Sequence, residues 1–276
     1  MLAHLGVRYL AVPATLLLTA VTYGALLPWG PALAFVAGCT VMAVLLSGCE
    51  QLAPLEAFDE TPHQRRTDMA FSVATALLLL CAHPLLAALP AWEGHPLPLL
   101  AQVAVGWAAH DLVLYAWHRL LHESGVPWLW RLHEPHHTPT RFTFMAGSRS
   151  HLAEIVVTII ALCVARLVFG LSDAAMHWVL LFPVASGAVH HTNADFRLGW
   201  FNYVFPGPEM HRAHHDRDPR VALNYATSFP LWDVLFGTDA GLRGGAETDF
   251  GVDGRSDLET TWVSAHLAPF RPVEGR

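Results

Sequence analysis

Charged residues are scarce in this chain of 276 residues, of which only 14% are Asp, Glu, Lys or Arg. Hydrophobic residues make up 53%, more than in an ordinary soluble domain, so the composition is typical of a membrane protein. The formal net charge is −7 and the isoelectric point about 6.2, so nothing in the charge balance indicates a nucleic-acid partner.

Cysteine is equally scarce, with four residues: Cys39, Cys49, Cys81 and Cys163. Each lies within or at the edge of an apolar run, and no two of them form a C-x-x-C pair. This favours small buried hydrophobic side chains over a disulfide framework or a zinc knuckle. The chain also has no internal repeat of fixed period.

Long apolar runs predict six membrane-spanning helices, at residues 7–27, 31–49, 69–90, 97–117, 152–171 and 174–190. The first run has no charge after Arg8, and a cleaved signal peptide is its alternative reading. A second apolar run follows directly after a Pro/Gly turn, which favours a membrane span over a signal peptide for the first run. We expect an all-α protein, a polytopic membrane bundle of about four to six membrane helices beneath a histidine-rich helical cap.

Arginine is distributed unevenly between the segments that join these runs. The segments after the second and fourth runs carry six arginines: Arg65, Arg66, Arg119, Arg131, Arg141 and Arg149. The turns after the first, third and fifth runs have neither Lys nor Arg. By the positive-inside rule we expect the arginine-bearing side, with the N-terminus and the histidines, to face the cytoplasm.

Histidine is abundant, with eighteen residues, and its spacing is informative. His118 and His122 are four residues apart and therefore share one face of a helix. An H-x-x-H-H triplet at residues 133–137 recurs at residues 211–215. Pro135, inside the first triplet, favours the first turn of a helix. The second triplet follows the turn-rich P-G-P-E-M and is predicted to begin a helix.

Three further polar positions accompany the histidines. Asp111 lies two helical turns before His118, where it either accepts a hydrogen bond from a ligating imidazole or is an ordinary helix-end acid. Glu154, just inside the fifth run, has either a functional role or a structural one as partner of a histidine or of an arginine. Asn193 is a candidate to support a metal ligand, directly or through water. In H-H-T-N (190–193) we favour His191 over His190 as the ligand.

The preferred ligand set has nine members: His118, His122, His133, His136, His137, His191, His211, His214 and His215. One zinc ion needs three or four protein ligands, whereas nine imidazoles suit two ions with four or five each. An all-nitrogen dinuclear site at a membrane face suits iron that activates O2. The alternatives are a zinc-dependent hydrolase or isomerase, a metal-binding or transport protein, and a haem-binding bundle that uses His83 and His177.

The ordered pattern D-x3-Y-x2-H-R-x2-H, H-x2-H-H, R-x-H-x2-E, H-x-N, P-x2-H-R-x-H-H, N-Y and W-D-x-L-F-G-T resembles the fatty acid hydroxylase / sterol desaturase superfamily. The residues beyond the nine histidines that carry this resemblance are Asp111, Tyr115, Arg119, Arg149, His151, Glu154, Asn193, Pro208, Arg212, Asn224, Tyr225 and Trp232 to Thr238. The match covers roughly residues 100–238.

The resemblance implies a membrane-embedded enzyme with two iron ions (Fe2+/Fe3+). Such an enzyme uses O2 and two electrons to hydroxylate or desaturate an unactivated C–H position of a lipid, such as a sterol, a fatty acyl chain or a carotenoid. The histidines are then the metal ligands. Asp111, Glu154 and Asn193 orient them or bridge through water, and the arginines Arg119, Arg149 and Arg212 pair with carboxylates. We expect residues 232–238 to serve packing and turn formation.

One position departs from the family pattern. Some fatty acid hydroxylases have a histidine four residues before the one that matches His191, and this chain has Gly187 there. No fused cytochrome-b5-like or ferredoxin-like domain fits the remaining length, so we expect a separate electron donor of that kind, with its reductase, on the cytoplasmic face. We expect one integral-membrane domain, with N-terminal membrane helices (1–100), a catalytic region (101–240) and a C-terminal tail (241–276) that begins with a flexible loop (241–257).

Overall fold

A computed structural model describes residues 2–57, 61–218, 222–245, 247–254 and 260–271, with side chains from residue 5 onward. Within these ranges the chain is helical, without β-strands, and the all-α prediction is confirmed. The described α-helices are α1 (Leu2–Leu26), α2 (Pro31–Leu52), α3 (Pro62–Ala87), α4 (Leu99–Glu123), α5 (Pro127–His137), α6 (Leu152–Phe169), α7 (Asp173–His190), α8 (Pro208–His214), α9 (Leu231–Phe236) and α10 (Trp262–Leu267).

Five of the described helices, α1 to α4 and α6, are long and apolar enough to cross a membrane. They correspond to the first five predicted runs. Large apolar side chains such as Leu10, Val44, Leu77 and Val168 are exposed on their outer faces. This exposure suits contact with lipid, where apolar surface has no cost.

The sixth predicted span forms a helix, α7, but it is not among those five. Its 18 residues include Pro183, Ser186 and Gly187, which interrupt the apolar run. Half of its residues are buried, and it packs against α4 in the interior of the bundle. Residues 174–190 therefore form the expected sixth helix, which returns the chain to the histidines but is less apolar and more buried than the other five.

Polar contacts show which helix ends meet at the histidines. Near the start of α1, Arg8 pairs with Asp195, which follows α7. Near the end of α2, Glu50 accepts the backbone N–H of Asn193 at 2.9 Å. Near the start of α3, the Gln64 side chain donates to the Arg141 carbonyl at 3.1 Å. This end of the bundle, called the histidine end below, also holds the end of α4 and the start of α6.

The first histidine triplet lies in the last turn of α5, and the expectation of a helix start is wrong. Pro127 occupies the first position of α5 instead, where its missing N–H costs nothing. Pro135 cannot donate to the carbonyl four residues earlier, and the helix ends two residues after it. The second triplet belongs to α8, which begins at Pro208 as expected.

The described part of the segment 241–257 packs on the cap and does not extend from it. Gly244 donates its N–H to the Glu209 carbonyl at 2.9 Å, and Phe250 forms an isolated bridge with Asp216. These contacts fix two points of a stretch without regular structure, and the flexibility of the loop stays a prediction. Residues 246 and 255–257 lie outside the described ranges.

A glycine sets the distance between the two helices that carry His118 and His191. A Cβ atom on Gly106 of α4 would lie 2.5 Å from Leu171 Cδ1 and 2.9 Å from Val179 Cγ2. Interiors are close-packed, so a larger side chain at this position would have to displace the Leu171 and Val179 side chains.

Candidate metal centre

The nine histidines converge at the histidine end in two groups. Group A contains His118, His122, His133, His137 and His214, and group B contains His136, His191, His211 and His215. Within each group, one ring nitrogen per residue lies within 4.8 Å of the corresponding nitrogen of every other member. All nine side chains are buried except that of His122, which is partly buried.

Each H-x-x-H-H triplet is divided between the groups. Residues four apart on a helix share a face, and so His133 and His137 enter group A while His211 and His215 enter group B. The middle histidine of each triplet belongs to the other group: His136 to group B and His214 to group A. Helices α5 and α8 thereby contribute to both groups, which makes the two groups neighbours.

The distances between ring nitrogens indicate the coordination geometry that the groups fit. The His191 Nε2 atom lies 2.9 Å from His211 Nε2 and 3.2 Å from both His136 Nε2 and His215 Nε2. With metal–nitrogen bonds of about 2.1 Å, two ligands at right angles are about 3.0 Å apart and two tetrahedral ligands about 3.4 Å apart. The spacing is therefore that of ligands which share one metal ion.

Hydrogen bonds at Nδ1 fix how the rings point. His118 donates from Nδ1 to the Tyr225 carbonyl at 2.7 Å, and His133 donates from Nδ1 to Glu154 Oε1 at 2.7 Å. These bonds place the proton of each neutral ring on Nδ1 and leave a lone pair on Nε2. The two Nε2 atoms are nevertheless only 3.0 Å apart. Two facing lone pairs at this distance repel one another unless a cation lies between them.

The same arrangement recurs on both sides of the site. The His191 Nδ1 atom donates to the Gly187 carbonyl at 2.7 Å, and the His214 Nδ1 atom donates to the Leu223 carbonyl at 3.0 Å. The His214 Nε2 atom is buried without a hydrogen-bond partner in the described chain. The residues therefore fit metal ions, because they present unprotonated ring nitrogens that the protein itself does not satisfy.

Burial keeps the imidazoles outside the membrane helices neutral. It is the largest cause that lowers the pKa of these side chains well below the usual value, and neighbouring imidazoles add to the effect at His133, His136, His137, His191, His211, His214 and His215. At neutral pH these side chains are therefore in the form that binds a metal ion.

Aromatic rings cover the two groups. Trp130 lies over group A, with its ring centre 5.1 Å from that of His122. Phe142 stacks on His191 at 5.2 Å and on Phe250 at 4.9 Å. The Arg212 guanidinium lies over both phenylalanine rings and pairs with Glu56. These residues exclude water from the histidine end of the bundle.

The three candidate supporting residues occupy different positions. Glu154 contacts the site directly through His133. The Asp111 carboxylate instead accepts hydrogen bonds from the Thr227 hydroxyl and the Phe229 N–H, so it anchors a loop and does not orient an imidazole. Of the two roles expected for Asp111, the hydrogen bond to a ligating imidazole is not among the described contacts.

The Asn193 side chain bonds only to backbone in the described chain. It accepts the Glu56 N–H at 3.2 Å and donates to the Glu56 carbonyl at 3.3 Å. These bonds connect the segment after His191 to the segment after α2. They do not reach an imidazole, so Asn193 orients no ligand directly.

Of the histidines outside the nine, two adjoin the site. The His190 ring centre lies 3.8 Å from that of His211, yet His190 belongs to neither group. His151 caps α6 with Nδ1 and faces the His266 carbonyl with Nε2 at 3.3 Å. Both nitrogens of His151 therefore have protein partners.

The predicted arginine pairs are present. Arg149 and Asp68 are fully buried and 2.5 Å apart, and Arg119 pairs with Glu123 at 2.6 Å. The Arg149 pair connects the segment between α5 and α6 to α3. The Arg119 pair lies within α4 and is partly exposed.

Sequence reasoning missed two residues that support the histidines. Asp233 accepts the N–H of Tyr225 at 2.8 Å and the N–H of Ala226 at 2.9 Å, and the second bond fixes the peptide whose carbonyl binds His118. Gly147 lies against His191, where a Cβ atom would be 2.6 Å from the ring. W-D-x-L-F-G-T contained a signal for Asp233, an acid in an otherwise apolar segment, whereas no sequence signal marked Gly147.

The fold and the site together define a class: a membrane protein with a buried double cluster of histidines suited to two metal ions. The fatty acid hydroxylase family model matches residues 103–238, about half of the chain. The chain belongs to the fatty acid hydroxylase / sterol desaturase superfamily. No solved structure matches the chain.

Several characterised relatives are similar to it. An ornithine lipid hydroxylase of Rhizobium tropici is 29% identical over 57% of this chain and 47% of its own length. An alkylglycerol monooxygenase of Caenorhabditis elegans is 30% identical over 46% of this chain and 25% of its own. A methylsterol monooxygenase of Arabidopsis thaliana is 27% identical over 60% of this chain and 64% of its own. The matches thus span less than two thirds of each of these relatives.

Proposed function

We propose that this protein is an O2-dependent membrane oxidoreductase that holds two iron ions and hydroxylates or desaturates an unactivated C–H position of a lipid. The convergence of nine buried imidazoles in two adjoining groups supports this proposal most strongly. The activities of these three relatives, hydroxylation and mono-oxygenation, favour hydroxylation over desaturation.

Group A would hold one ion with five histidines and group B the other with four. Bound iron supplies the redox chemistry that activates O2 at such sites. The chain itself orients the imidazole rings and protects the site from water. Tyr225, Glu154, Gly187 and Leu223 accept the Nδ1 protons of four rings, so that the Nε2 lone pairs face inward.

Exclusion of water is the second task of the chain. Trp130, Phe142 and Phe250 cover the groups with apolar surface. These side chains would keep solvent away from the chemistry that bound iron supplies. The lipid substrate would come from the bilayer, and a separate ferredoxin- or cytochrome-b5-like donor with its reductase would supply electrons.

The alternatives fit the site less well. One zinc ion takes three or four protein ligands, whereas nine histidines converge here in two groups of five and four. A transport protein needs ligands along a path through the bundle, but the nine histidines lie at one end.

Lipid mass spectrometry tests the proposal. Cells that express the protein should contain a lipid that has gained one oxygen atom, or lost two hydrogen atoms, relative to cells that lack it. We expect His136→Ala to abolish this product, because it removes a group B nitrogen. The matched control is His95→Ala, since His95 bonds to the Phe169 carbonyl at the opposite end of the bundle.

Product from His136→Ala would contradict the site assignment. Absence of any lipid change with the intact, iron-loaded protein and a supplied electron donor would contradict lipid oxidation itself.

A further inference from the structure

The C-terminal helix α10 contacts the first turn of α6, where the site carboxylate Glu154 lies. The contact is made by His266, a residue beyond the stretch that the family model matches. The His266 Nε2 atom accepts the N–H of Leu152 at 3.0 Å. The two residues are 114 positions apart in sequence.

The tautomer of His266 is fixed by its other nitrogen. Nδ1 lies 2.6 Å from the Trp262 carbonyl, to which it can only donate. Nε2 of the neutral ring is therefore an acceptor, as the Leu152 N–H requires. The backbone carbonyl of His266 also accepts a hydrogen bond from His151 Nε2 at 3.3 Å.

The start of α6 depends on this contact for its hydrogen bonds. The first N–H groups of a helix have no partner inside it. Here the His151 N–H donates to Glu154 Oε2 at 3.2 Å and the Ala153 N–H to His151 Nδ1 at 3.1 Å. The Leu152 N–H between them is satisfied from α10. Leu152 is partly buried, so its N–H is shielded from water and loss of its partner has a cost. This turn is therefore held most firmly when α10 is in place.

The same turn positions a proposed ligand. Glu154 uses Oε2 to bind the His151 N–H and Oε1 to bind His133 Nδ1. A shift of the turn therefore moves the carboxylate that sets the tautomer and the direction of His133. Ring contacts restrict His266 itself, which packs at 4.7 Å on His151 and at 4.2 Å on Trp262 between ring centres.

We propose that His266 is a positioning residue of the metal centre, which acts on group A through the first turn of α6 and Glu154. This inference rests on the proposed function, since it requires His133 to be a metal ligand. Group B has no contact with Glu154 among the described hydrogen bonds, so the effect is confined to one of the two ions.

His266→Phe tests the inference, because phenylalanine keeps the ring contacts and removes the acceptor. Release of iron from the purified, reduced protein to a ferrous-iron chelator is followed over time. Loss of residues that orient metal ligands typically weakens binding 10- to 100-fold. We expect one of the two ions to leave the variant about tenfold faster than in the wild type, with the other unchanged.

His266→Gln serves as the conservative variant, because its amide oxygen can accept the Leu152 N–H; it should restore much of the wild-type release rate. It also keeps the test valid if the phenylalanine variant does not fold. His63→Phe is the matched control. His63 binds the Thr260 carbonyl at 3.1 Å and so holds the same C-terminal segment without touching α6.

Equal acceleration of both ions, or the same effect from His63→Phe, would show general loosening and overturn the inference. A release curve of His266→Phe that matches that of the wild type would also overturn the inference. In that case the proposed function would stand, because the wild type would still release two ions. A wild type that binds no iron would overturn both.

Discussion

At the scale of single residues, the backbone approaches the proposed metal ligands so closely that only glycine fits. Gly147→Ala would place a Cβ atom 2.6 Å from the Cγ and Nδ1 atoms of His191. We expect the ring to be displaced from group B and the purified protein to retain about one metal ion fewer. Elemental analysis of the variant measures this loss.

Gly187→Ala is the matched control for this prediction. Its Cβ atom would meet nothing within 4 Å, and its carbonyl, which binds His191, remains. Alanine also suits the interior of α7 better than glycine. Full metal content in Gly147→Ala, or an equal loss in Gly187→Ala, would contradict the proposed role of His191 as a ligand.

The spacing of histidines brought together the same nine residues that the structure does, because positions four apart share a helix face and the triplets repeat. Glu154 was identifiable as an acid at the edge of an apolar run. Asp233 was marked only as an acid in an apolar segment, without a sign of what it binds. Gly147 and His266 were not marked, since each acts on a ring or backbone group that is distant in sequence. No periodic pattern encodes such contacts.

At the scale of helices, apolar length predicted five spans, whereas the role of α7 depended on packing. A buried helix and a lipid-facing helix have similar compositions, so sequence alone does not separate them. The position of the first triplet in α5 was missed for a related reason. Pro135 marks a helix boundary, but the residue type does not say which boundary.

A buried ion pair holds the segment before α6 against α3. Asp68 and Arg149 are both fully buried. Removal of one partner of a buried pair typically costs about 3 to 5 kcal/mol, because the other charge remains without water. We expect Asp68→Asn to lower the free energy of unfolding by about that amount, measured by thermal unfolding in detergent.

Asp173→Asn provides the comparison for this prediction. Asp173 also pairs with a buried arginine, Arg166, but its own side chain is 61% exposed. Water can replace an exposed partner, so we expect a change below about 1 kcal/mol. Equal destabilisation by the two substitutions would show that burial of the Asp68 pair is not what matters.

The stability of the folded protein should depend on pH through Asp233, the α9 carboxyl that binds the loop before this helix. Burial raises the pKa of Asp233 to about 6 from 3.8, so the folded protein binds this proton more tightly than the unfolded chain. The stability that this adds is present below pH 4 and is lost as the pH rises through 6, a change of roughly 3 kcal/mol.

Asp233→Asn removes this titration. Thermal midpoints of both proteins are measured between pH 4 and pH 7.5. The midpoint of the variant should rise relative to that of the wild type as the pH increases. A constant difference between the two would contradict a raised pKa at Asp233. Groups that titrate in both proteins cancel in this comparison.

At the scale of the whole molecule, the helix ends determine which side of the membrane carries the site. The start of α1 lies at the histidine end, where Arg8 pairs with Asp195. The turn that contains Glu93 and Gly94 lies at the opposite end, between α3 and α4. By the positive-inside rule we expect the histidine end to face the cytoplasm.

Protease accessibility of inserted tags tests this orientation. A tag at the N-terminus should be cut only in inverted membrane vesicles, and a tag between Glu93 and Gly94 only in intact cells. The opposite pattern would place the histidines outside the cytoplasm. Cleavage of both tags from the same side would contradict the helix arrangement itself.

The two histidine groups are the central feature of this protein, and the number of metal ions that they bind can be counted. Elemental analysis of the wild-type protein, purified in lipid nanodiscs without added metal or chelator, measures it most directly. We predict two iron ions per chain, one for each group. A single zinc ion per chain, or no bound metal, would contradict the account.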